Sequence, residues 1–134
     1  MKQTAKILVI ESEAGLLSTL SDELEQECYV VDLSSTGVEA IRKLENKPNL
    51  IILDGLLSDI DGLVLLAKIK AEKNTREIPV ILLLESGDES RAVSANELGV
   101  AGSIVKTSSG LKSIMTAVEE ILGKKNKNID GQLI

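Results

Sequence analysis

Five short apolar runs limit what this chain can fold into: KILVIE (6–11), CYVVDLS (28–34), LIILD (50–54), IPVILLL (78–84) and GSIVK (102–106). Several of them are apolar at consecutive rather than alternate positions, the pattern of strands covered on both faces. Such strands belong to a parallel sheet, whose crossover connections lay helices over it. The intervening segments supply those helices. Leu16, Leu17, Leu20 and Leu24 recur at helical spacing, as do Val38, Ile41 and Leu44, and then Leu63, Leu66 and Ile69. Over 89–98 the apolar face is narrow (Ala92, Val93, Ala95, Leu98), so this fourth helix is expected to be the least firmly docked. The last helix carries an unbroken stripe of Leu111, Ile114, Met115, Val118, Ile121 and Leu122.

The punctuation agrees. Pro48 and Pro79 stand at strand entries, where a missing N–H costs least, and Gly99 and Gly123 stand where helices should end. Ser108 or Ser109 is placed to cap the last helix. Five strand–helix alternations predict one α/β domain over 1–123 with right-handed crossovers, and 134 residues suit a single core. The segment KKNKNIDGQLI, 124–134, lacks periodicity and reads as a tail or the start of a linker.

Composition removes several functions. The chain has no histidine, which excludes Ser-His-Asp and Cys-His catalysis by its own side chains and, with one cysteine, makes a zinc site unexpected. Cys28 cannot form an internal disulfide and, beside a strand, is expected to be a small buried hydrophobe. A net charge of −6 argues against direct nucleic-acid binding. No run approaches the ~20 apolar residues of a membrane span, and MKQTAKILVI is too short for a signal peptide, so a cytoplasmic location is expected. Tyr29 is the only aromatic residue, so the core must be aliphatic.

Ligands of an open parallel sheet gather outside the carboxyl ends of its strands. Those ends carry Glu11, Ser12 and Glu13, then Asp54, then Leu84, Glu85 and Ser86, then Lys106. Carboxylates beside a lysine suit a hard cation and a phosphoryl group. Mg²⁺ takes oxygen ligands, a carboxylate can attack phosphorus to form an acyl phosphate, and the cation and lysine offset the charge on the transferred oxygens.

The segments KILVIESEA, PNLIILDGLLSDIDG, IPVILLLESGDE and LGVAGSIVK together resemble the receiver domain of bacterial two-component response regulators, a likeness running from residue 6 to about 122. GVEAIRKLE and CYVVDLSS are similar to that family's second helix and strand. The resemblance implies a flavodoxin-like (CheY-like) fold, a doubly wound five-stranded parallel sheet of (βα)5 form. It implies that Asp54 accepts a phosphoryl group from the phosphohistidine of a sensor histidine kinase or phosphotransfer protein, and that Lys106 contacts that group. It further implies Mg²⁺ held by Glu11, Asp54 and the backbone carbonyl of Leu56. Ser12 or Glu13 is a candidate for a further ligand, although Glu13 reads equally as the start of the first helix.

The chain departs from the family where switching occurs. Ser12 stands where a second acidic residue is usual, so weakened Mg²⁺ binding is expected, and Ser12 reads more readily as a helix cap. Leu84 occupies the Ser/Thr switch position and has no hydroxyl for a phosphoryl oxygen; Ser86, two residues on, could substitute only if the strand continued. Ser103 replaces the switch aromatic, and Thr107 stands where a cis proline is common. Gly55 and Ser58 also differ, Ser58 where proline is usual, which should loosen the loop after Asp54. Two readings follow: a phosphoryl-accepting receiver with altered output coupling, or a pseudo-receiver that binds proteins or dimerises through its fourth and fifth helices without phosphorylation. A flavin-binding relative is disfavoured, because the aromatics that sandwich a flavin are missing.

Overall fold

The computed structural model describes residues 4–107 and 110–123. Within them strands and helices alternate: β1 (Lys6–Ile10), α1 (Ala14–Gln26), β2 (Val30–Ser34), α2 (Gly37–Lys43), β3 (Leu50–Asp54), α3 (Gly62–Ala71), β4 (Val80–Leu84), α4 (Glu89–Glu97), β5 (Gly102–Val105) and α5 (Gly110–Val118). A 3-10 turn, Leu44–Asn46, extends α2, and a wider π turn, Glu119–Gly123, extends α5. The cap expected at Ser108 or Ser109 falls outside the described residues. No helix among the described residues is long and apolar enough to cross a membrane.

The strands form one parallel sheet in the order β2-β1-β3-β4-β5. Leu53 stands opposite Ile10 on one side and Leu82 on the other. Successive residues of each strand serve opposite cores. Ile7, Val9, Ile52 and Leu83 pack with Leu20 and Leu24 of α1 and Ile114 and Val118 of α5. Leu8, Ile10, Ile51 and Leu82 pack with Ala40, Leu65, Leu66, Ile69 and Ala95 on the other face, beneath α2, α3 and α4. This two-sided covering is why the apolar runs are unbroken, and it is the expected doubly wound, flavodoxin-like arrangement. The order reverses between β1 and β3, so the ligand crevice of such a sheet opens where Glu11 and Asp54 stand.

Three local expectations change. The chain leaves α1 through a Schellman turn, with Cys28 N–H donating to the Glu25 carbonyl and Tyr29 N–H to the Leu24 carbonyl. Cys28 is the left-handed residue of that turn, at φ 70°, and is exposed, not buried; β2 begins only at Val30. Val38 and Ile41 do not face the sheet, being 73% and 37% exposed. Instead α2 turns Gly37 and Ala40 inward, because it lies too close to the β3–α3 loop for larger residues: a Cβ on Gly37 would stand 2.2 Å from Ile60 Cγ2. Finally, β4 starts at Val80, since Pro79 offers a carbonyl, to Ile51 N–H, but has no N–H to return. The narrow face of α4 is as expected, with Ala95 its one fully buried residue.

Candidate functional site

Three chain-distant groups meet at the carboxyl edge of the sheet. Glu11 directly follows β1 and is 1% exposed, while Asp54 closes β3 at 4%. Lys106 follows β5, and its backbone N–H donates to the Leu84 carbonyl at 2.7 Å. Its ammonium lies 3.1 Å from Glu11 Oε1, 3.1 Å from Asp54 Oδ1 and 3.4 Å from the exposed Glu85 Oε2. Backbone donors complete the shell: Glu13 N–H reaches Glu11 Oε2 at 3.1 Å, and Leu56 N–H reaches Asp54 Oδ1 at 3.1 Å.

Burial, and then the neighbouring Asp54 carboxylate, push the Glu11 carboxyl from its ordinary 4.5 up to about 7, against the pull of Glu13 N–H and Lys106. Burial alone would lower the Lys106 pKa, but the Glu11 and Asp54 carboxylates outweigh it and hold the ammonium above its ordinary value. The sign for stability follows. Between about 4.5 and 7 the folded chain holds a proton on Glu11 that the unfolded chain releases, so this group's contribution falls as pH rises through that window. Glu11→Gln is expected to flatten the slope of unfolding free energy against pH there; denaturant titrations at a series of pH values measure it, and an unaltered slope contradicts it.

Ser12 does not join this cluster and does not cap α1. The N-cap is Glu13, which makes no side-chain cap bond. The Ser12 hydroxyl donates to the Ser35 carbonyl at 3.4 Å and accepts from Ser58 N–H at 3.0 Å, tying together the loops after β1, β2 and β3. Two departures from the family pattern are therefore partners, since a proline at 58 would have no N–H to give. Glu13 is exposed, its carboxylate lying beside Gly15. Leu56 is half exposed. Leu84 is buried and covers Gly55, where a Cβ would stand 3.2 Å from Leu84 Cδ2. Ser103 faces solvent, Ser86 is exposed in the β4–α4 loop, and the Lys106–Thr107 peptide is trans.

The β3–α3 loop is not loosened as expected; further carboxylates fasten it. Asp59 accepts from Gly37 N–H at 2.9 Å and Val38 N–H at 3.0 Å, capping α2 from outside, and these two bonds hold its pKa below the ordinary range. Asp61 caps α3 through Leu63 N–H at 2.8 Å and pairs with Arg91, whose guanidinium is the main cause of its lowered pKa. The sequence reading missed Arg91. The available signal was its position one turn before the buried Ala95, which puts both on the sheet-facing side of α4.

Among the described residues no three His, Cys or acidic side chains are grouped to hold a metal. Two carboxylates do converge, and Mg²⁺ commonly takes one or two with water completing its shell. Glu11 Oε1 is buried and, apart from its ion pair with Lys106, has no hydrogen-bond partner, which leaves an oxygen available to a cation. The Glu11 and Asp54 carboxylates thus fit Mg²⁺.

The chain matches the response regulator receiver domain family over residues 7–119. It is 32% identical over 130 residues to the phosphate regulon transcriptional regulatory protein PhoB of Rhizobium meliloti, covering 96% of this chain and 57% of that protein. It is 38% identical over 109 residues to the transcriptional regulatory protein ResD of Bacillus subtilis, covering 79% and 44%. The chain therefore spans about half the length of these curated relatives. Among solved structures, the signal receiver domain of a signal transduction histidine kinase from Syntrophus aciditrophicus superposes with a TM-score of 0.80 at 30% identity, covering 90% of this chain and 92% of that one.

Proposed function

Because this chain belongs to the response regulator receiver domain family of two-component signalling, we propose that Asp54 is its phosphoryl acceptor and that Glu11 and Lys106 prepare the site for the transfer. The observation that carries this reading is the meeting of one ammonium with two buried carboxylates at the sheet's switch point. An Asp54 oxygen forms the new P–O bond while the P–N bond to the donor's phosphohistidine breaks, its electron pair leaving on the imidazole nitrogen. Lys106 neutralises the incoming phosphoryl oxygens in a site where burial strengthens each charge. Glu11, Asp54 and the Leu56 carbonyl are the groups that would hold Mg²⁺, which supplies further charge neutralisation when bound. The partner is a sensor histidine kinase or phosphotransfer protein, and the domain acts as a switch and not as an enzyme on other substrates.

Acetyl phosphate with Mg²⁺ is expected to add one phosphoryl mass to the protein, and Asp54→Asn to abolish the addition; intact mass spectrometry reads both. No adduct at saturating donor on folded protein would favour the second reading, a pseudo-receiver that binds partners or a second copy through α4 and α5. Leu84, which has no hydroxyl, and Ser12, which carries no charge, favour that alternative.

Ser12→Asp tests the metal set. An aspartate can still accept from Ser58 N–H but cannot donate to Ser35, and it adds a carboxylate beside Glu11. Mg²⁺ is expected to bind on the order of tenfold more tightly by titration. An unchanged dissociation constant would mean that position 12 does not face the cation.

A further inference from the structure

Leu84 cannot donate a hydrogen bond, so the acceptor loop lacks the hydroxyl link to β4 that the family's pattern would place there. Another connection is present. The Arg91 guanidinium reaches from α4 to both ends of the β3–α3 loop: Nη2 donates to the Gly55 carbonyl at 2.7 Å and to Asp61 Oδ1 at 2.6 Å, and Nη1 donates to Asp61 Oδ2 at 3.3 Å. Gly55 is the residue after Asp54, and Asp61 is the cap of α3. One rigid planar fork therefore fastens the residue next to the acceptor and the entry of the following helix to a single point on α4.

The rest of α4 is lightly held. Ala95 is its one fully buried residue, its N-cap Asp88 makes no side-chain cap bond, and Val93 points outward at 62% exposure. The Arg91 fork thus anchors the amino-terminal turn of a helix that apolar packing alone secures weakly. Leu84 packs over Gly55 instead, its Cδ2 standing 3.2 Å from where a Cβ of that residue would lie.

We propose that Arg91 is a positioning residue that ties the acceptor loop to α4, so that a change at Asp54 is passed to α4 through the Gly55 carbonyl and Asp61 and not through position 84. The coupling half of this proposal rests on the phosphoryl-acceptor reading; the tether does not.

Hydrogen–deuterium exchange separates the two halves. In the unliganded protein, Arg91→Gln and Asp61→Asn are each expected to speed exchange in residues 55–61 and 89–97 together, on the order of tenfold. Asn at 61 can still accept from Leu63 N–H, so loss of the α3 cap does not account for the effect. Arg42→Gln, which removes an exposed charge from α2, is expected to change neither segment. Beryllofluoride with Mg²⁺ then serves as the phosphoryl probe, with bound fluoride read by ¹⁹F NMR. The wild-type protein is expected to change its α4 exchange on adduct formation, and Arg91→Gln to form the adduct without that change. Unchanged exchange in unliganded Arg91→Gln overturns the tether. An α4 response equal in Arg91→Gln and wild type, or absent in a wild-type protein carrying bound fluoride, overturns the coupling. No bound fluoride on either protein overturns the phosphoryl-acceptor reading, leaving the tether to stand or fall on the first arm.

Discussion

Gly62→Ala is expected to destabilise the domain by about 3 kcal/mol or more and to reduce phosphoryl acceptance sharply, although Asp54 is untouched. A Cβ at position 62 would stand 2.3 Å from the Asp54 carbonyl oxygen and 2.7 Å from both Gly55 C and Gly55 Cα. All three are backbone atoms at the end of a central, fully buried strand, so no side chain can turn aside to make room. The Gly62 N–H bond to the Gly55 carbonyl, 2.9 Å, is drawn into the same collision. Relief requires moving either the start of α3 or the Asp54–Gly55 backbone, and the Arg91 contacts sit on both sides of that approach, at Asp61 and at the Gly55 carbonyl. Gly37→Ala is the control: its added methyl would meet the Ile60 side chain, which can rotate, so a smaller loss is expected. Urea midpoints at constant m-value and intact mass after acetyl phosphate treatment measure the two effects. A Gly62→Ala protein as stable as wild type would show that the approach of α3 to Asp54 is looser than described.

Lys106→Met should cost about 3–5 kcal/mol near pH 8 and markedly less near pH 5. The ammonium is the shared partner of Glu11 and Asp54, and removing it leaves two buried carboxylates facing each other. Breaking a buried pair is expensive because the remaining charge keeps its desolvation penalty without its attraction. Glu11 has an escape, since its carboxyl already holds a proton up to about pH 7. Without the cation that hold strengthens, so the folded variant binds a proton the unfolded chain has released. Its stability must therefore fall as pH rises through 7 and beyond. Denaturant unfolding of wild type and variant at both pH values measures the difference. A loss that does not depend on pH would mean that the strain on Glu11 is relieved by water, not by protonation.

Legibility in the sequence varied with the range of the interaction. β3 could be bounded closely, and β4 at its end, because LIILD and VILLL are apolar on successive positions. The inward face of α2 was misjudged because spacing weights large residues. There the helix approaches so closely that Gly37 and Ala40 fit where Val38 and Ile41 do not. Cys28 was misjudged because its position depends on the turn that ends α1, where a left-handed residue is needed and composition is silent. The expected loosening at Ser58 was reversed by its N–H, whose partner, Ser12, lies 46 residues away along the chain.

The amino-acid order by itself determined the alternation of strands and helices, the aliphatic two-sided sheet and the listing of strand-end groups. These follow from local periodicity and from the rule that parallel strands need covered faces. Only the tertiary structure decided which of those groups share a pocket, that the Ser12 hydroxyl bonds to Ser35 and Ser58, and that Arg91 holds the β3–α3 loop. Such choices depend on distances of a few ångströms between residues far apart in the chain, and those distances exist only once the sheet has set its strand order and register.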